Sequence, residues 1–226
     1  MKTLLSILLL FTSISVVQEE NCSRNLIRVQ KVAALESLYY SMCLNEFVHY
    51  SVFDEAMKGY SKIPNKRKEI LTLIDFSKPS TQKRMFVLDL KNKQVLFKTI
   101  VSHGKNSGQK YATSFSNEVG SNKSSLGLYL TDKTYNSKNG YSLRLRGLEK
   151  GINDKAMERG IVMHSAHYCT QSIINLGGVL GRSHGCPVIP EEINKEVIDI
   201  IKDGSVLYIY GDSNKLLAEL QNPIHQ

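Results

Sequence analysis

Tryptophan is absent from this 226-residue chain, cysteine occurs only four times, and no internal repeat is present. There is neither a P-loop nor a glycine-rich dinucleotide fingerprint, which sets aside the nucleotide chemistry that those loops support. With no Trp and no nucleic-acid-binding motif, DNA or RNA is the weaker partner, although the formal net charge is +8. No C-x-x-C or H-x-x-x-H pair fixes a metal tetrahedron, so neither a metal nor another cofactor is expected. Long apolar runs are missing too. The longest, Leu4 to Phe11, falls short of the roughly 20 residues that a spanning helix needs.

That short run follows Lys2 and precedes the small residues Ser13 and Ser15, the layout of a secretory signal peptide over residues 1–17. Export to the periplasm or cell envelope is therefore expected. No stable membrane anchor should remain after cleavage, because Glu19-Glu20-Asn21 before Cys22 is too polar for a lipid-attachment box. An oxidising compartment favours disulfides. Cys22 with Cys43 is a candidate tether, and Cys169 is either buried or a reversible partner of Cys186.

What the chain does have is the balance of a folded protein, with 42% hydrophobic and 22% charged residues. Residues 18–66 read as an N-terminal helical segment. Leu26, Val29, Val32, Leu35 and Leu38 form a stripe expected to pack on the domain, and a second helix begins near Ser51 with Asp54 as a capping box. From residue 67 to 211 strands dominate. Leu71–Phe76, Arg84–Leu90 and Val95–Ser102 are short and rich in β-branched or aromatic residues, and the last two flank a hairpin at Lys91–Gln94. A helix opening at Pro190-Glu191-Glu192 and closing at Gly204 precedes a strand from Val206 to Tyr210. The tail over 212–226 carries no readable chemistry.

Chemistry concentrates between Gly160 and Pro190. Ile161, Val162 and Met163 form an apolar strand that delivers His164 to its end, and Gly177, Gly178 and Gly181 mark a loop before Ser183-His184-Gly185-Cys186. His164 and His167 lie 22 and 19 residues before Cys186, so either imidazole is a candidate base. A thiol with a pKa of about 8.5 becomes an effective nucleophile when an imidazole takes its proton. Gly185 allows close backbone approach, making the Gly185 and Cys186 amides candidate oxyanion donors. This combination points to acyl transfer. A buried inert cysteine beside a structural histidine is the competing interpretation.

Arg182-Ser183-His184-Gly185-Cys186-Pro187, with the strand ending His164-Ser165, resembles the catalytic motif of the YkuD-like L,D-transpeptidases, cysteine enzymes of bacterial peptidoglycan. The likeness is greatest to the murein L,D-transpeptidase catalytic domain branch. It continues through Phe115-Ser116-Asn117, Gly120-Ser121, Ser124-Ser125-Leu126-Gly127 with Tyr129 and Thr131, and Ser142-Leu143-Arg144-Leu145 before Gly147. The resemblance implies a mainly β (α+β) fold, a sandwich or barrel-like catalytic body with peripheral helices. It also implies a thioester on Cys186, His164 as base, and the turn from Ser183 through His184 and Gly185 as oxyanion and substrate cradle. The Ser165 carbonyl would orient the imidazole. Arg144, Arg182, Tyr129 and His167 are candidate substrate contacts, and peptidoglycan stem peptides the expected partner. Departures from the family pattern are a long His164-to-Cys186 interval and Pro187-Val188-Ile189-Pro190 after the cysteine. Hydrolysis of the same thioester, as in an L,D-carboxypeptidase or endopeptidase, and a non-catalytic cell-wall-binding module are the alternatives.

Overall fold

The structure is a computed structural model and describes residues 24–212. The signal-peptide reading, a tether through Cys22 and the tail beyond Asp212 lie outside the described residues. The chain divides into two compact units at Glu46/Phe47. The first contains helix α1 over 24–41 and a 3-10 turn at Leu44–Glu46. The stripe expected to be packed is exposed at Leu26, Val29 and Val32.

The second unit starts with α2 (Tyr50–Ser61), so this helix groups with the strands rather than with α1. Its N-cap is His49, with no side-chain hydrogen bond, so the Ser51–Asp54 capping box does not form. Ser51 already lies in the first turn, and Asp54 instead pairs with Lys58 at 2.5 Å. Eight strands follow: β1 (Ile70–Asp75), β2 (Met85–Asp89), β3 (Gln94–Thr99), β4 (Gly127–Ser137), β5 (Gly140–Gly147), β6 (Val162–Ser165), β7 (Val188–Ile189) and β8 (Val206–Tyr210). Between β6 and β7 lies α3 (Gln171–Gly177), and between β7 and β8 lies α4 (Glu191–Ile201).

The sheet order is β3-β2-β1-β8-β4-β5-β6-β7, parallel at β1/β8 and β6/β7 and antiparallel elsewhere. Just past β3, Ser102 bridges to Val188 of β7, its amide donating to the Val188 carbonyl at 2.8 Å. The two outermost strands thus meet, and the sheet nearly closes into a barrel. Closure removes the exposed edges that an open sheet would present to other chains. The mainly β, barrel-like expectation holds.

Period-2 alternation sorts the side chains. Met85 and Val87, Leu143 and Leu145, and Leu207 and Ile209 face one common interior, joined from α4 by Val197, Ile198 and Ile201. Each such side chain contributes about 1.5–3 kcal/mol by leaving water. A second cluster of Ile100, Cys169, Ile174, Leu180 and Val188 lies on the other side of β7, under α3. Cys186 packs against both clusters. The nucleophile candidate therefore sits where two cores meet, on rigid support.

Candidate active site

Three segments build the site. β6 supplies His164, the turn before β7 supplies Cys186, and the β5–β6 connection brings up Gly160. In the parallel register His164 lies opposite Val188. Continued two residues beyond the paired stretch, that register would set Cys186 beside Val162, and the Val162 backbone N–H does act on the thiol. Two strand neighbours offset by two residues share a face and lie about 8 Å apart at Cα, from a 4.8 Å strand spacing and a 3.3 Å rise. A thiol and an imidazole can close that span.

His164 is buried, and its Nδ1 lies 2.8 Å from the Ser165 carbonyl oxygen. A carbonyl only accepts, so Nδ1 carries the proton and Nε2 keeps its lone pair. Among the described residues Nε2 has no hydrogen-bond partner. Burial lowers the His164 pKa below its ordinary 6.5, with the Ser165 carbonyl opposing in part. The imidazole is therefore uncharged at neutral pH. Cys186 keeps some solvent-accessible surface although its sulfur is closely surrounded by protein. Burial raises the thiol pKa, while the Val162 N–H and the Arg159 charge pull it down. At rest the thiol donates to the Gly160 carbonyl at 3.7 Å rather than to the imidazole.

The turn that carries Cys186 is pinned from several directions. Ser183 Oγ donates to the Cys186 carbonyl at 2.7 Å and accepts from the Gly185 amide at 3.0 Å. Ser124 Oγ donates to the Gly185 carbonyl at 3.2 Å. Gly185 has φ +125°, and a Cβ there would stand 2.8 Å from the Lys123 carbonyl oxygen, so only glycine fits. The Gly185 amide, an expected oxyanion donor, is engaged by Ser183 Oγ in this structure. The His184 and Cys186 amides, by contrast, have no partner among the described residues.

The remaining candidates separate. The His184 side chain is exposed, with Nε2 3.3 Å from Lys105 Nζ. His167 lies past the end of β6, exposed and edge-on to the Tyr168 ring, whereas His164 is the imidazole held in the sheet. Arg182 spends Nη1 on the carbonyls of Lys105 and Gly108, at 3.2 and 3.1 Å. Tyr129 is not in the cleft: it is fully buried, its hydroxyl on the carbonyl and Oγ of Ser125, because its strand position points inward. Arg144 is exposed on β5, opposite Val162, with its guanidinium 4.6 Å over the Tyr135 ring. Cys169 and Cys186 are separate thiols.

Sequence reasoning missed Arg159, the charge nearest in effect to the thiol. Inside Met157-Glu158-Arg159-Gly160 it looks like any solvated loop residue, so no local signal distinguishes it.

The sequence matches the L,D-transpeptidase catalytic domain family over residues 44–210. The chain belongs to that family. No curated protein matches it. Among solved structures it is similar to an L,D-transpeptidase from Mycobacterium smegmatis, with 15% identity and a TM-score of 0.40 over 63% of this chain and 59% of that one. An L,D-transpeptidase from Stackebrandtia nassauensis aligns over 73% of this chain and 67% of that one, with 14% identity and a TM-score of 0.39. The helical cell shape determining protein Pgp2 (K307A mutant) from Campylobacter jejuni aligns over 72% of this chain and 59% of that one, with 14% identity and a TM-score of 0.41. This L,D-transpeptidase domain thus spans about three-fifths of the length of the first of these. Among its described residues no helix is long and apolar enough to cross a membrane.

Proposed function

We propose that this chain is an exported cysteine acyltransferase acting on peptidoglycan stem peptides, with Cys186 as nucleophile and His164 as base. The observation that carries this reading is the His164 tautomer. With Nδ1–H committed to Ser165, the Nε2 lone pair is left without a partner among the described residues, and the strand that pairs with His164 begins two residues after Cys186.

In the first half-reaction Cys186 Sγ–H gives its proton to His164 Nε2, and the sulfur attacks the scissile carbonyl carbon of the donor stem. We assign the oxyanion that forms to the Cys186 and His184 amides, which have no partner among the described residues. Collapse breaks the C–N bond, His164 Nε2–H protonates the leaving amine, and a thioester remains on Cys186. In the second half-reaction an acceptor amine loses its proton to His164, attacks the thioester and releases the thiol as a new peptide bond forms. Arg144 presents a cation on the face of β5 opposite Val162, paired with no carboxylate among the described residues. It is the side chain we assign to a stem-peptide carboxylate. The net positive charge favours approach to a carboxylate-rich wall.

Purified muropeptides incubated with the wild-type chain and with Cys186→Ala, followed by product mass spectrometry, test the proposal. Cross-linked dimers with the wild type and none with the variant support acyl transfer. Trimmed monomers alone make water the acceptor, and undiminished activity in the variant ends the proposal.

A further inference from the structure

Arg159 is the charged group that the mechanism above leaves without a task. Its Nη1 donates to the Ser116 carbonyl at 2.7 Å and to Ser125 Oγ at 3.0 Å. Its Nη2 donates to Ser121 Oγ at 3.3 Å and to the Lys123 carbonyl at 2.5 Å. These four bonds use all the hydrogens of the two terminal nitrogens, so the fork has no bidentate face left for a substrate carboxylate. All four acceptors are neutral, and the positive charge therefore stays uncompensated at contact distance. Glu118, the nearest acid in effect, has its carboxylate oxygens 3.3 and 3.4 Å from Lys155 Nζ. Tyr129 faces Arg159 as a phenol pushed up to about 12, hence uncharged. Among the described residues, the remaining group acting on Arg159 that can carry a compensating negative charge is the Cys186 sulfur.

Geometry ties the two residues together. A Cβ on Gly185 would stand 3.3 Å from Arg159 Nη2, and the residue after Arg159 provides the carbonyl that receives the Cys186 thiol. We propose that Arg159 is a positioning residue. It pins the 116–125 loop beside the nucleophile turn and supplies the fixed positive charge that compensates the Cys186 thiolate once His164 has taken its proton. This rests on the reading of Cys186 as nucleophile. The other titratable groups on the elements around the turn are His164 on β6 and Tyr168 in the segment after it, and of these Tyr168 is the one that feels the charge of the sulfur. The first is held neutral by burial and the second, pushed up to about 12, is uncharged.

The test is the pH dependence of Cys186 alkylation by iodoacetamide in the full chain, followed by peptide mass spectrometry so that the other cysteines do not interfere. Arg159→Gln is expected to move the titration midpoint upward and to lower the labelling rate at neutral pH about tenfold, the effect of one pKa unit. Arg159→Lys, which keeps the charge, is expected to stay near the wild-type midpoint. An unchanged midpoint in Arg159→Gln, or equal shifts in the Gln and Lys variants, overturns the proposal. If Arg159→Gln fails to melt cooperatively, Arg159→Ala with added guanidinium ion decides: recovered labelling supports the proposal and no recovery overturns it. A midpoint moved by Arg159 in a chain that never processes muropeptides leaves the positioning role standing and removes the peptidoglycan reading instead.

Discussion

An arginine, a histidine and a cysteine occur together at two places in the barrel unit. In the first set, Arg84 and His103 are fully buried and so is Cys169. Arg84 gives Nε and Nη2 to the Val101 carbonyl at 3.1 and 2.8 Å, Nη1 to the Lys78 carbonyl at 2.9 Å, and Nη2 again to His103 Nδ1 at 2.7 Å. His103 Nε2 lies 3.3 Å from the Gly108 carbonyl, and Cys169 donates to the Val188 carbonyl at 3.1 Å. Both imidazole nitrogens are therefore committed, and burial pushes the Cys169 thiol up to about 11.

In the second set, Arg159 is equally committed to neutral oxygens, but His164 uses one nitrogen and Cys186 is partly exposed. Burial lowers the pKa of both histidines, so the shift alone does not tell a structural imidazole from a base. The difference is one imidazole nitrogen without a partner among the described residues and a thiol in a residue that keeps some exposed surface. Structural sets close every valence, because an orphaned buried polar group costs about 1–3 kcal/mol. A working site leaves one open for the substrate.

The sharpest way to break this comparison is to exchange the expected consequences. His164→Ala should lower turnover by roughly 10²–10⁴ while the thermal melt stays cooperative. A fall in stability with turnover intact would make His164 a second structural histidine. Arg84→Met should act in the opposite sense, costing on the order of 3 kcal/mol in urea unfolding, because the acceptors at Val101, Lys78 and His103 lose their donors together. Stability within experimental error of wild type would mean that the first set holds nothing together.

Acid sharpens the same contrast. The pKa of His103 falls from an ordinary 6.5 to about 4, by burial first and the Arg84 charge second. A histidine lowered on folding binds its proton more readily in the unfolded chain, so stability is full above pH 6.5 and falls as pH drops toward 4. The two limits correspond to about 3 kcal/mol at 1.36 kcal/mol per unit. Urea titrations across that window should display the loss, and a flat profile would show that His103 is not the group responsible. The smallest effect concerns the rim. Arg144→Gln removes an exposed cation, and the expected result is a KM raised by about fivefold or less with kcat unchanged, as suits a contact worth under about 1 kcal/mol. A fall in kcat alone would place Arg144 nearer the reacting atoms.

Much of this arrangement is readable along the chain. The hairpin over Lys91–Gln94, the strand from Val206 to Tyr210 and the helix after Pro190 follow from turn residues, β-branched runs and an apolar face, all of which are local signals. The Cys186 turn is equally local, since Ser183, Gly185 and Cys186 bond to one another within four residues. Other features are not. The alternation of Leu128 to Thr131 reads as strand, but the Ser- and Asn-rich texture of 113–139 hides how far β4 extends, since its residues beyond Thr131 are carried by pairing with β5 rather than by their own propensity. α3 hides in a stretch that reads as loop, fixed by a Thr170 side chain that caps the Ile173 amide and a left-handed Gly178.

The amino-acid order alone determined which groups were available: a thiol after a glycine, a histidine at the end of an apolar strand, and alternation enough for a β body. Only the tertiary structure decided how those groups are disposed. It committed the Gly185 amide, sent Tyr129 inward, left His167 outside and brought Arg159 to the sulfur across 27 residues of sequence. The physical reason is range. Strand period and turn geometry act over a few residues, whereas burial, charge compensation and hydrogen-bond saturation depend on neighbours that exist only once distant strands have paired.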